Sequence, residues 1–179
     1  MKRRIVLLAV FLMLLCSCTG NTPERVTANF LDCLTKSDIK AAEKYTLSGN
    51  LLLDTKSKDA AAIYKPLFSA MQYAVGGSII EENTATVNLT LLVVDLEELM
   101  SQVSLEVVQQ MVTSGSKGSG DLFYTLLLEK LTAEDVPMAS YTVTVELVKD
   151  SGRWKIDMDT SSDFVEAIGG GVEGLILTS

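Results

Sequence analysis

Three kinds of apolar pattern succeed one another along the chain. Residues 5–15 are eleven consecutive apolar positions behind Lys2, Arg3 and Arg4. Further on, apolar residues recur first at helical spacing, then at every second position, then again at helical and again at alternate spacing. Thr22-Pro23 has the form of an N-cap with proline in the first turn, and Val26, Phe30, Cys33 and Leu34 follow on one stripe of a helix over residues 23–35. Cys33 is read as a small buried side chain, and Asp32, well away from the stripe, as solvated. Ser37 is read as the cap of a second short helix carrying Ile39, Ala42 and Tyr45, which folds back on the first. A third helical stretch over residues 58–71 contains Pro66, which predicts a break or kink near Lys65.

Strand patterns follow. Residues 73–80 form a strand weakened by Gly76-Gly77. Ala85, Val87, Leu89, Leu91 and Val93 alternate with Thr84, Thr86, Asn88 and Thr90, and Glu82-Asn83 makes a turn between the two. Asp95, with Glu98 three residues on, predicts a capped helix to about Thr113, with Leu96, Leu99, Val103, Val107 and Met111 as its apolar stripe. Residues 114–120 read as a flexible loop, and residues 121–132 as another helix closed off by Pro137. In the last hairpin a turn at Ser151-Gly152 sets Leu147 opposite Ile156 and Val145 opposite Met158, with Tyr141, Val143 and Trp154 on the same face. A slip by one residue would set Ile156 against Glu146, so the first register is preferred. Ser161-Ser162 opens a short helix with Phe164, Val165 and Ile168, interrupted by Gly169-Gly170-Gly171.

The apolar run near the start is too short to span a bilayer. Eleven helical residues reach about 16 Å, roughly half of a hydrocarbon core. With its basic flank it reads as an export signal. Leu15-Cys16-Ser17-Cys18 resembles the lipobox of bacterial lipoproteins, with Leu at −3, Ser at −1 and the acceptor at Cys18; Cys16 at −2 departs from the usual residue there. That resemblance implies removal of residues 1–17, a diacylglyceryl thioether on Cys18, a tether over residues 18–22 and one domain over residues 23–179. Acyl chains contribute about 0.8 kcal/mol per buried methylene, so two or three hold a protein on a membrane durably. With Cys16 removed and Cys18 acylated, Cys33 is left alone and no intramolecular disulfide can form.

Composition narrows the chemistry. The 179 residues carry a formal charge of −8, and the three basic residues of the export segment make the remainder more acidic still. No nucleic-acid partner is expected, because phosphate binding needs clustered Lys and Arg. There is no histidine, which excludes a Ser-His-Asp triad, a Cys-His pair and histidine-ligated metals. Asp157-x-Asp159-x-Ser161-x-Asp163 starts like a calcium loop, but Ser162 and Ile168 stand where glycine and glutamate belong. The triple glycine lacks the Lys-Ser/Thr of a phosphate loop. Asn88-Leu89-Thr90 matches a glycosylation sequon that carries little weight in a bacterial chain. No cofactor or metal is implied.

The lipobox, the helical hairpin PERVTANFLDCLTKSDIKAAEKY, a β-hairpin and the closing strands VELVKDSGRWKID together resemble small, uncharacterised lipoproteins of Gram-positive bacteria with NTF2-like, or cystatin-like, domains. The resemblance covers most of residues 23–160. It implies an α+β fold, a curved antiparallel sheet of about four strands packed on N-terminal helices, with a helical insertion near residues 96–136 that a minimal member lacks. It also implies a cone-shaped pocket, for which Tyr73, Tyr141 and Trp154 are the candidate lining.

An enzyme of isomerase or hydrolase type would use an Asp/Tyr acid-base pair, with Asp157, Asp159, Tyr73 and Tyr141 as candidates. Both aspartates alternate out of phase with Trp154, Ile156 and Met158 and so point away from an apolar interior. No catalytic residue is assigned. The favoured expectation is a non-catalytic lipoprotein on the extracytoplasmic face of the cell membrane, binding a small apolar ligand or an envelope protein. An enzyme and a purely structural or oligomerisation module are the alternatives. The oligomeric state is left open.

Overall fold

A computed structural model describes residues 20–48, 58–114 and 119–172, with the side chains of residues 58–61, 114 and 119 excepted. The expected export segment, Cys18 and most of the expected loop over residues 114–120 therefore lie outside the described residues. Elements follow in the order α1 (Pro23–Thr35), α2 (Ile39–Ala42), a 3-10 turn (Glu43–Tyr45), α3 (Lys58–Ser69), β1 (Gln72–Glu81), β2 (Thr84–Val94), α4 (Leu96–Ser114), α5 (Ser119–Leu131), β3 (Met138–Asp150), β4 (Arg153–Ile156) and α6 (Ser162–Ile168). The four strands form one open antiparallel sheet in the order β1-β2-β3-β4, and helices precede it, as the α+β expectation requires.

Alternation along β2 decides which face is covered. Ala85, Val87, Leu89, Leu91 and Val93 are buried, and their partners on β3 are Leu147, Val145, Val143, Tyr141 and Ala139. The opposite face carries Thr84, Thr86, Asn88, Thr90, Thr142 and Thr144 toward solvent or half-buried, so the Asn88 side chain is exposed. Helices α1, α3 and α6 contact the strands. Phe30 of α1 meets Phe164 of α6 with ring centroids 5.9 Å apart at 58°, and both rings are fully buried. Each such aromatic buries roughly 150–250 Å², which makes this pair a main anchor of the core. The last hairpin takes the expected register, Leu147 opposite Ile156, around a Ser151-Gly152 turn in which both residues have positive φ. Met158 lies beyond the end of β4 but remains buried.

Four local expectations are corrected. Ser37 does not cap α2. It sits at φ 57° just past α1, where its N–H donates to Leu34 O at 2.7 Å and that of Asp38 to Cys33 O at 2.9 Å, a Schellman ending. Asp38 is the cap, its Oδ1 accepting from Ala41 N at 3.1 Å. Cys33 is half-buried, and Leu31 takes the interior place expected for it, because the covered stripe is centred on Val26, Phe30, Leu31 and Leu34. Pro66 does not break α3, which runs through it. One hydrogen bond is lost there, but Leu67, Phe68 and Met71 just beyond are buried, and their packing keeps the helix continuous. α5 starts at Ser119 rather than Asp121.

Three other expectations hold. Thr22 accepts from Arg25 N at 3.3 Å ahead of Pro23, and Asp95 Oδ1 accepts from Glu98 N at 3.0 Å to open α4. Gly76-Gly77 falls at the register shift between Val75 and Ser78. A Cβ at Gly76 would come 3.1 Å from Asn88 O, so the bulge brings the two backbones together at a point only glycine fits easily. The helical insertion between the two hairpins is formed by α4 and α5, which pack on each other, while α5 also touches α3.

Candidate functional site

The three side chains expected to line a pocket all belong to the covered face, but they do not converge. Tyr73 pairs with Leu91, and Leu91 with Tyr141, so the two tyrosines flank a buried leucine in one row across β1, β2 and β3. Trp154 pairs with Lys149, eight residues along β3 from Tyr141. At about 3.4 Å per residue that is about 27 Å away, at the other end of the sheet. Trp154 is buried, with the Lys149 ammonium 5.4 Å from its ring centroid, and its backbone N–H donates to the side chain of Asn21.

The two tyrosine hydroxyls sit in different surroundings. Tyr73 is half-buried and its O–H donates to Asp32 Oδ1, with Ala28 O 3.2 Å away. Asp32 is exposed, as its place on α1 suggests, yet it serves as this acceptor. Burial, and then the Asp32 carboxylate, push the Tyr73 phenol from 10.0 up to about 12. Burial also raises that of Tyr141, helped by Asp95, Glu166 and Glu97. Both phenols therefore stay protonated at neutral pH.

The Tyr141 hydroxyl is backed by the turn after α6. A Cβ on Gly171 would come 2.7 Å from that oxygen, and one on Gly170 would come 2.5 Å from Val94 O. These glycines have φ of +83° and +70°. Gly170 N donates to Ala167 O and Gly171 N to Glu166 O, both at 3.1 Å, a second Schellman ending. The triple glycine thus ends a helix and seats the chain against the start of α4, where Leu96 N donates to Gly170 O at 3.0 Å.

The acidic run after β4 is organised as a turn. Asp159 N donates to Asp157 Oδ1 at 3.2 Å, and Trp154, Ile156 and Met158 are buried while Asp159 is exposed. Ser161 is buried at the start of α6, but its hydroxyl accepts from Glu146 N at 2.9 Å instead of capping the helix. β4 has ended by then, and that strand N–H needs another acceptor. Among the described residues no group of three Asp, Glu, Cys or His side chains could hold a metal ion.

Open surface relief lies on the insertion, which sequence reasoning did not single out as a site. One groove of about 540 Å³ is lined by Gln102, Leu105, Glu106, Gln109, Thr113 and Lys130, with Lys130 Nζ 2.9 Å from Glu106 Oε2. A second, also about 540 Å³, is lined by Ser104, Val107, Val108, Met111, Gly120 and Phe123. The signal was present in the sequence: Leu105, Val108 and Val112 fall outside the stripe that packs α4 inward.

The fold thus defines an α+β domain with one face of an open four-stranded antiparallel sheet covered by helices. No protein-family model and no curated protein matches the chain. Among solved structures it is similar to that of a "putative lipoprotein (ycdA)" from Bacillus subtilis subsp. subtilis str. 168, at 19% identity and a TM-score of 0.47. The match covers 76% of this chain and 44% of that one, so the chain spans less than half the length of that protein. Among the described residues no helix is long and apolar enough to cross a membrane.

Proposed function

We propose that the protein is an extracytoplasmic lipoprotein of the NTF2-like kind, of a Gram-positive cell envelope, held on the membrane by acylated Cys18 and acting by binding rather than catalysis. The lipobox carries this reading, and the point at which the domain begins supports it. Asn21, three residues after Cys18, is tied to Trp154 beside the Ser151-Gly152 turn. At up to about 3.5 Å per residue, a tether that short holds the hairpin end of the sheet within about 10 Å of the acylated residue. The excess of acid repels anionic headgroups, so retention depends on the acyl chains.

Binding is preferred to catalysis because the groups an acid-base mechanism would use are occupied or turned away. Tyr73 is a hydrogen-bond donor to Asp32 with its proton held to about pH 12, and Asp157 closes a turn. An envelope protein or a small apolar molecule is the class of partner. The test is mass spectrometry of the mature N-terminus from the native host. The reading requires a chain starting at Cys18 with a diacylglyceryl group on its sulfur. A bare sulfur, or the export segment still attached, overturns it.

A further inference from the structure

Helix α4 is apolar on two sides. Leu96, Leu99, Val103 and Val107 are buried, whereas Leu105, Val108 and Val112 are 64%, 59% and 80% exposed. At 100° per residue, Ser101, Leu105, Val108 and Val112 fall together about 140–200° around the helix from Val103. Their spacing of four, three and four is that of one seam of a two-helix coiled coil. A solvated helix face normally carries charge, so three apolar residues at seam spacing mark a surface that packs against another helix. Beside this seam opens the groove floored by Val107, Met111 and Phe123.

We propose that the occupant of this face is the same helix of a second copy, packed antiparallel about a twofold axis. Charge selects it. The positions flanking the seam, Gln102, Ser104, Gln109 and Met111, are uncharged. These are the positions that ordinarily choose an oppositely charged partner. Two acidic bodies repel over most of their surfaces, but at these flanking positions they meet without a like charge. Of the acids on α4, Glu98 lies one turn before Ser101, at the end of the seam, and Glu106, on the side of the helix, is turned to Lys130 at 2.9 Å.

Self-pairing also fits by size. An antiparallel register sets Leu105 of one copy against Val108 of the other, and small Ser101 against Val112, the most exposed of the three; each contact occurs twice, as an isologous interface requires. A bilayer fits poorly. α4 contains no Lys or Arg to meet headgroups, and it leaves the sheet after Val94, at the opposite end of β2 from the hairpin turn.

The interface is tested on the full chain, exported in its host, by pairing Ser101→Cys with Val112→Cys in a Cys33→Ser background and oxidising whole cells. A disulfide-linked dimer on a non-reducing gel is expected, reduced at least tenfold by adding Leu105→Glu. Should that variant fail to accumulate, Val108→Glu gives the same reading from another exposed position. A monomer, a dimer no more abundant than with a single cysteine at Thr142 on the outer sheet face, or a cross-link to a different polypeptide overturns the proposal. So does labelling of the position-112 cysteine by a thiol-reactive lipid in place of dimer formation. Acylation of Cys18 is read separately from the mass of the N-terminal peptide, so the two readings fail independently.

Discussion

At the hairpin end of the sheet, polar groups close on one another. The Lys149 N–H donates to Asn83 O at 2.8 Å, Asn21 accepts from Trp154, and Lys149 lies over the Trp154 ring. At the other end the strands run into the insertion, joined through Asp95 N to Pro137 O at 2.9 Å and Leu96 N to Gly170 O at 3.0 Å. From there α4 carries Leu105, Val108 and Val112 into solvent. Exposed apolar residues also occur on the edge strand, at Ile79 and Ile80, but these adjoin Glu81 and Glu82, charges that discourage edge pairing. The contrast separates two tasks. The sheet and helices α1, α3 and α6 supply stability, and the insertion, buried along Leu96, Leu99, Val103 and Val107, adds uncommitted apolar surface on its other side.

If that division is correct, equal truncations at the two places have unequal costs. Phe30→Ala, which empties a fully buried position against Phe164, should lower the free energy of unfolding by about 3–5 kcal/mol in urea titrations. Leu105→Ala should change it by no more than about 0.5 kcal/mol under dilute conditions. Comparable losses would show that the outer side of α4 is packed within the single protein.

The glycines sharpen the same contrast. Gly170→Ala forces a side chain into φ +70° and toward Val94 O, and should destabilise by about 1–3 kcal/mol. Gly120→Ala, in the first turn of α5 with nothing within 4 Å, should stabilise by about 0.5–1 kcal/mol. Thermal melts of both variants check the pair, and a stabilising Gly170→Ala would break the account of the junction.

A third difference is one of pH. Because the folded Tyr73 phenol is raised from 10.0 to about 12, its contribution to stability is fully present below pH 10 and is lost as the pH climbs toward 12. Asp32→Asn removes the charge but not the burial, so it should move the slowest tyrosine in an absorbance titration part of the way back toward 10. On the acid side, the Ser78 hydroxyl holds the Glu24 carboxyl below 4.5, so that contribution is present above pH 4.5 and fades as the pH falls through the lowered value. Ser78→Ala should flatten this acid limb in pH-dependent denaturation. The smallest effect belongs to the insertion. Lys130→Ala, which breaks a partly exposed ion pair, should leave the unfolding midpoint almost unchanged, and the more so in high salt.

Much of the architecture was legible in local pattern. Period-two alternation fixed the covered face of β2 and the register of the last hairpin, since a one-residue slip would have put Glu146 opposite Ile156. Thr22-Pro23 and Asp95 marked helix starts because a side-chain oxygen close to free N–H groups acts over three residues. Errors arose where distant packing outweighed such rules. Leu67, Phe68 and Met71 carried α3 through Pro66, and the αL position after α1 fell to Ser37, passing the cap to Asp38. The candidate lining was chosen from strand phase alone, which gives a face but not a distance along it, and so Trp154 was grouped with two tyrosines about 27 Å away.

By itself the sequence determined the order of helices and strands and the buried face of the sheet, and it raised the expectation of an export segment with an acyl acceptor at Cys18, all properties of neighbouring residues. Tertiary structure alone decided that the Tyr73 hydroxyl meets Asp32 across 41 positions, that a glycine turn backs Tyr141, and that one side of α4 is left uncovered. Each of these depends on which surfaces the folded chain brings together, and hydrophobic spacing records only that a surface must be buried, not against what.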